Sequence, residues 1–316
     1  MTRVAILGAR GIGAVHARVL ETLGANVCAI AATSPASARA TAVELAARLG
    51  HELESFGSVA ECLERARADA VVIASPAECH REHLAAALAR DLPVLCEKPL
   101  YWPAHALVDE LVSFQAELAA RPAARLLLNT VSAHLLEAVQ AELVAPAGEL
   151  EVEFHSLGRA TGEAIAVDLL PHALALLAVL QPLDAPCEEL ELAYDEHRFV
   201  ARFRHAGRRV RLDLRADPAG TKHLAFAVGG QRFTRRQEGS GASYRVFLED
   251  ERGRRHELED PFVTRARRFL ALCAGRGDWA AARAEACANH AALVALLHET
   301  PRRQRALAGE ELPCRA

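Results

Sequence analysis

The chain has 316 residues, enough for two domains that each bury a core of their own. Its composition, 51% hydrophobic and 25% charged, is that of a folded globular protein and excludes a disordered chain. A net charge of −4 leaves no excess of positive charge to neutralise phosphates, so no nucleic acid is expected as a partner.

The first run, Val4 to Leu7, is short, apolar and rich in branched residues, as in a buried strand, and it ends at Gly8. From Ile12 to Leu23 the apolar residues recur at helical spacing until Gly24 stops them. Asn26 to Ala32 reads as a second strand, and Pro35 opens a helix to about Leu49. Ser58 and Glu61 form a capping box at the next helix start. Ala70 to Ser75 and Pro93 to Cys96 are further strands, with a helix through Arg90 between them. Strands alternating with helices predict an α/β fold, a doubly wound parallel sheet over residues 1–125. Right-handed crossovers then align Gly8, Ala32, Ser75 and Glu97 along the carboxyl edge, where such sheets bind ligands.

Gly8, Arg10, Gly11, Ile12 and Gly13 lie between the first strand and first helix, where a dinucleotide fingerprint belongs. Arg10 holds the third position of that pattern, and a glycine follows it at once. The second strand ends in Ala32-Thr33-Ser34, without the acid that would hold a ribose 2′-hydroxyl. Hydroxyls at Thr33 and Ser34 can donate to a 2′-phosphate, with Arg10 and Arg39 adding charge, so NADP is expected over NAD. Lys98 follows the strand ending at Glu97 and suits proton transfer in a ligand crevice, with Pro99 fixing the backbone after it.

These motifs carry a resemblance. Gly8 to His16, Ser75-Pro76 ahead of His80 and His83, and Cys96-Glu97-Lys98-Pro99-Leu100 resemble the Gfo/Idh/MocA oxidoreductases, as does Asp168-Leu-Leu-Pro-His172. The resemblance implies a Rossmann domain followed by an α/β domain whose open, largely antiparallel sheet bears the substrate. It implies that Ser75, Pro76, His80, Glu97 and Lys98 border the nucleotide. Lys98 would bind substrate and relay a proton, His172 would act as acid and base, and Asp168 would support the site. It also implies a homo-oligomer, dimer or tetramer.

Asp168 and His172 are four apart, so on a helix they share a face. Pro171 is tolerated best near a helix start, which predicts that the pair sits in the first turn. His80 and His83 are expected on a helix beside the cofactor cleft, in a packing or adenine-side role rather than on a metal, and no metal site is expected anywhere. Trp102 could line the nicotinamide end or be a core or lid residue. Asn129 and Thr130 could touch substrate.

Residues 126–316 are predicted as one substrate-binding and oligomerisation domain. Helices are expected at 133–144, 166–180, 262–275 and 279–299. Strands are expected at 188–194, 198–205, 208–215, 223–229 and 243–249. A loop is expected at 237–242 and a loosely packed tail from Pro301. None of the eight cysteines forms a CxxC pair, so reduced thiols are expected. The amino terminus lacks the apolar core of a secretory signal, and Asp168, Pro171 and His172 interrupt the most apolar stretch, so a cytoplasmic protein is expected.

Together these features point to an NAD(P)-dependent dehydrogenase or reductase. Its substrate would be a small polyol, sugar or related metabolite, with the hydride moving between the nicotinamide and a carbinol or carbonyl carbon. The alternatives are a catalytically silent sensor of the same fold, or a lyase or hydrolase that recycles its own cofactor. A sensor needs none of Lys98, Asp168 and His172.

Overall fold

The structure, a computed structural model, describes residues 1–239, 244–299 and 302–305. Its first segment runs β1 (Arg3–Leu7), α1 (Ile12–Thr22), β2 (Asn26–Ala31), α2 (Pro35–Leu49), β3 (Glu54–Phe56) and α3 (Val59–Arg65). It continues through β4 (Ala70–Ile73), α4 (His80–Leu88), β5 (Val94–Glu97), α5 (Val108–Ala119) and β6 (Leu126–Asn129). Apart from the edge strand β3, where only Phe56 is buried, the strands are largely buried apolar runs, and all six pair in parallel in the order β3-β2-β1-β4-β5-β6. Chain order reverses between β1 and β4, so the crevice of such a sheet opens between the loops after Leu7 and Ile73. Ser34 and Ser58 start α2 and α3, each accepting a 3.2 Å hydrogen bond from the backbone three residues on.

The second unit begins at Ser132. It holds α6 (Ala133–Glu137), β7 (Leu150–Ser156), α7 (Ala164–Leu180), β8 (Cys187–Tyr194), β9 (Arg198–His205) and β10 (Arg208–Ala216). After these come β11 (His223–Val228), β12 (Gln231–Glu238), β13 (Arg245–Asp250) and β14 (Arg255–Leu258). With β15 (Arg302–Arg305) they form a nine-stranded sheet, antiparallel except where β7 meets β10 and β8 meets β15. Along β10, Val210, Leu212 and Leu214 are buried on the face that α7 covers. Arg209, Arg211, Asp213 and Arg215 alternate with them onto the other face, as strand periodicity requires. There Arg198 and Arg215 both donate to the buried Asp213.

Residues Glu259–Ala291 return to the first unit, which corrects a single boundary at 125. Two helices make the return, α8 (Pro261–Cys273) and α9 (Trp279–Val294). Ala266, Phe269 and Leu272 enter the core that holds Val4, Ile6, Leu20 and Leu127. Arg265, itself buried, donates from Nε to the Leu128 carbonyl at 2.8 Å. β6 also belongs to the first sheet, pairing Glu97 with Asn129. An amphipathic helix shows its apolar stripe in sequence, but not which unit the stripe will meet.

Smaller differences follow. The helix expected at 133–144 stops at Glu137, with a single 3₁₀ turn at Gln140–Glu142. β3, β6, β7, β12 and β14 are strands beyond those expected. In the expected loop at 237–242, Gln237 and Glu238 continue β12, and 240–242 lie outside the described residues. The expected loose tail forms β15 at 302–305, and 306–316 lie outside the described residues. Among the described residues, no helix is long and apolar enough to cross a membrane.

Candidate functional site

In the first unit the glycine loop is built from three different steric demands. Gly8 has φ +86, and a Cβ there would lie 2.6 Å from the Ser75 backbone nitrogen. A Cβ on Gly13 would lie 2.1 Å from the Gly8 carbonyl oxygen, so only glycine lets α1 start this close to β1. Gly11 has φ +53 and open space where a Cβ would point, so its backbone is accessible to a ligand. Ile12 begins α1, which carries no side-chain cap and no acid in its first turn. Its N–H groups and dipole therefore present positive potential to an anion. Arg10 is exposed and leans across to α2, donating from Nε to Thr41 Oγ1 at 3.2 Å. At the end of β2, Thr33 is exposed and Ser34 caps α2. The cap uses an oxygen lone pair, which leaves the hydroxyl proton for another acceptor.

Ser75 follows β4, its Oγ 2.9 Å from His83 Nδ1, and Pro76 beside it is exposed. The structure corrects the expectation for His80, whose ring is buried rather than open to a cofactor. Its Nε2 lies 2.8 Å from the Ser75 carbonyl and its Nδ1 3.0 Å from the Pro99 carbonyl. His80 thus sits between the loop after β4 and the Glu-Lys-Pro turn; burial holds it below the usual histidine range, and the single N–H of the neutral ring donates to one of the two carbonyls. Trp102 hangs from the same place, its backbone N–H 3.5 Å from the Ala77 carbonyl.

Glu97 is buried at the end of β5. Its Oε1 accepts from His16 Nε2 at 2.7 Å and from Asn129 Nδ2 at 2.6 Å, and its Oε2 accepts from the Lys98 backbone N–H at 3.3 Å. Burial pushes its carboxyl up, but the His16 hydrogen bond, the charges of His16 and Lys98 and the Asn129 hydrogen bond bring it below the usual range. Asn129 is therefore committed inside the protein, which corrects its placement against substrate. Lys98 is half-buried beside this cluster.

Asp168 and His172 belong to the second unit and stand one turn apart on α7. They do not sit in the first turn, which corrects the expectation. α7 begins at Ala164, and Pro171 lies two turns inside it. A proline there costs about 3 kcal/mol, which the near-complete burial of Ile165 to Leu177 offsets. The Asp168 carboxylate is therefore away from the positive end of its helix. His172 is buried, its ring 5.5 Å from that of Phe154, and its carbonyl accepts from Ser132 Oγ at 2.6 Å. Gly158 lies beside the carboxylate, where a Cβ would make an ordinary 3.5 Å contact with Asp168 Oδ2.

Residues 2–120 match the model of the Gfo/Idh/MocA family, described as an oxidoreductase family with an NAD-binding Rossmann fold. An inositol 2-dehydrogenase from Streptomyces avermitilis is 44% identical over 120 residues, 37% of this chain. That match spans 33% of the relative's own length. Among solved structures, a 3-ketoreductase from Actinomadura kijaniata in complex with TDP-benzene and NADP has a TM-score of 0.67 at 21% identity. That match covers 97% of this chain and 99% of the ketoreductase. An apo scyllo-inositol dehydrogenase from Lactobacillus casei reaches a TM-score of 0.68 at 17% identity, covering 94% and 95% of the two chains. These likenesses show the fold.

Sequence reasoning singled out the glycine loop and Lys98 but gave His16 no task. A signal was present. Gly13, His16, Ala17 and Leu20 form the buried stripe of α1, and a histidine in such a stripe needs an internal partner.

Proposed function

We propose that the protein is a cytoplasmic NAD(P)-dependent oxidoreductase. It moves a hydride between the nicotinamide and a carbinol or carbonyl carbon of a small polyol, sugar or related metabolite. The observation that carries this reading is the loop from Gly8 to Gly13. It is closed tightly onto Ser75, yet open at Gly11, at the uncapped start of α1. A pyrophosphate fits that geometry. The bound nucleotide would supply the hydride chemistry, while the protein supplies placement and moves the hydroxyl proton.

NADP is the preferred nucleotide in this reading. β2 ends without a carboxylate, Ser34 keeps a hydroxyl proton to donate, and Arg10 adds a positive charge while it leans across to Thr41 on α2. Lys98, His172 and Asp168 are assigned the proton-handling roles that the family resemblance implies. Ser75, Pro76, Thr33 and Ile12 border the nucleotide, whereas Glu97 and His80 act from within the protein. Relatives named inositol 2-dehydrogenase support a polyol. The charged outer face of the second sheet, with Arg209, Arg211 and Arg215, is assigned to contact with a second copy of the chain.

Fluorescence titrations with NADPH and NADH, followed by absorbance assays against a panel of polyols and aldoses, test the reading. NADPH should bind more tightly than NADH, and Lys98→Ala and His172→Ala should each abolish most turnover. Tighter binding of NADH would overturn the nucleotide preference, and undiminished turnover in both variants would overturn the residue roles.

A further inference from the structure

Three elements meet on one buried carboxylate. Glu97 stands at the end of β5, His16 reaches it from α1, and Asn129 reaches it from the end of β6. His16 is 1% exposed and packs edge-on against Phe262, and its Nδ1 has no hydrogen-bond partner among the described residues. Its polar reach is therefore directed through Nε2 to Glu97. On α1, His16 lies three residues beyond the glycine loop, so this hydrogen bond joins the loop's helix to the strand end that bears Lys98.

We propose that His16 is a positioning residue for Lys98: its Nε2–H keeps the Glu97 carboxylate charged and in place, and Glu97 in turn holds the Lys98 backbone N–H. The inference rests on the reading of Lys98 as a proton-handling residue. Other groups facing Glu97 do not substitute for His16. The Cys96 thiol is pushed well up by burial and the His80 ring is held below its usual range, so both are neutral near pH 7. Lys98 contributes its charge and its backbone N–H, and Asn129 one neutral donor. A buried carboxylate deprived of its ring donor is less well compensated for desolvation, which favours the protonated acid. Protonated, it loses the charge that strengthens its hold on the Lys98 N–H.

The test compares the wild type with His16→Leu, His16→Gln and the double variant His16→Leu/Glu97→Gln. Glutamine restores an N–H donor at similar reach. Infrared spectra taken between about pH 5 and about pH 8 read the carboxyl directly. His16→Leu should gain a titrating protonated-carboxyl band that is absent from the wild type, from His16→Gln and from the double variant. Turnover of His16→Leu should acquire an acid limb with the same midpoint. A midpoint near pH 7 corresponds to about a tenfold fall between pH 8 and pH 6. Its NADPH affinity should stay within about threefold of the wild type. Absence of the new band overturns the inference, as does an acid limb that persists in the double variant. If the wild type neither binds nor turns over a nicotinamide nucleotide, the oxidoreductase reading fails, and the infrared result still decides whether His16 controls Glu97. Where His16→Leu does not fold, nitrogen-15 NMR of the wild type decides. A proton on Nε2 bonded to Glu97 supports the proposal, and a bare Nε2 overturns it.

Discussion

Substituting Gly13→Ala adds a single methyl group, and the structure states what it would meet. The new Cβ would sit 2.1 Å from the Gly8 carbonyl oxygen and 3.0 Å from its carbonyl carbon. Both are backbone atoms, so no side chain can swing away. Relief requires α1 and the glycine loop to separate by about 1.4 Å, since carbon needs about 3.5 Å from its neighbours. That shift strains the Gly13 N–H bond to Arg10, 3.0 Å, and the Gly8 N–H bond to Ala31, 3.1 Å. Two hydrogen bonds at about 1 kcal/mol each, plus residual crowding, give a cost of about 2 to 3 kcal/mol. If that cost falls on the binding-competent loop, NADPH affinity drops about 30- to 150-fold. Titration of NADPH fluorescence, with circular dichroism as a check on folding, measures it. A folded Gly13→Ala variant that binds NADPH within about threefold of the wild type would refute the steric reasoning.

Three other substitutions probe separate parts of the account. Ser34→Asp keeps a good cap on α2 but puts a carboxylate where a 2′-phosphate would sit. NADPH affinity should fall at least about tenfold while NADH affinity holds, read by the same titration. His290 is buried with both ring nitrogens lacking partners among the described residues, and burial depresses it from the usual 6.5 to about 4. Between those values the unfolded chain binds a proton that the folded chain refuses, so stability should fall by about 3 kcal/mol as pH drops through that window. Denaturant melts of His290→Leu should show that part of the slope gone; an unchanged slope would count against the buried neutral ring. Asp213→Asn leaves Arg198 and Arg215 facing a neutral amide where both now donate to a buried carboxylate. It should lower the stability of the second unit by about 2 to 3 kcal/mol in denaturant melts.

Much of the first unit was legible because its code is local. Buried parallel strands read as short branched runs, and Ser34 and Ser58 announce helix starts by the chemistry of capping. The glycines that matter are set by contacts within a strand, turn and helix, so the loop could be read from neighbours in the chain. What could not be read depends on partners far apart in sequence. His16 finds Glu97 across 81 residues, and Arg265 finds the Leu128 carbonyl across 137. Pro171 misled for a physical reason: proline preference describes an average helix, whereas α7 is buried along most of its length and tolerates the break. The arginine-rich strands showed their alternation plainly, yet not that Asp213 would gather two of those arginines.

Hydride transfer itself is the central claim, and isotope transfer tests it most directly. The protein would be incubated with NADPH deuterated at nicotinamide C4 and a panel of keto-polyols and keto-sugars, and the products read by mass spectrometry and NMR. The account predicts deuterium on the carbon of a newly formed carbinol, lost in Lys98→Ala and His172→Ala. A protein that binds the nucleotide yet leaves the deuterium on C4 across the panel would contradict it.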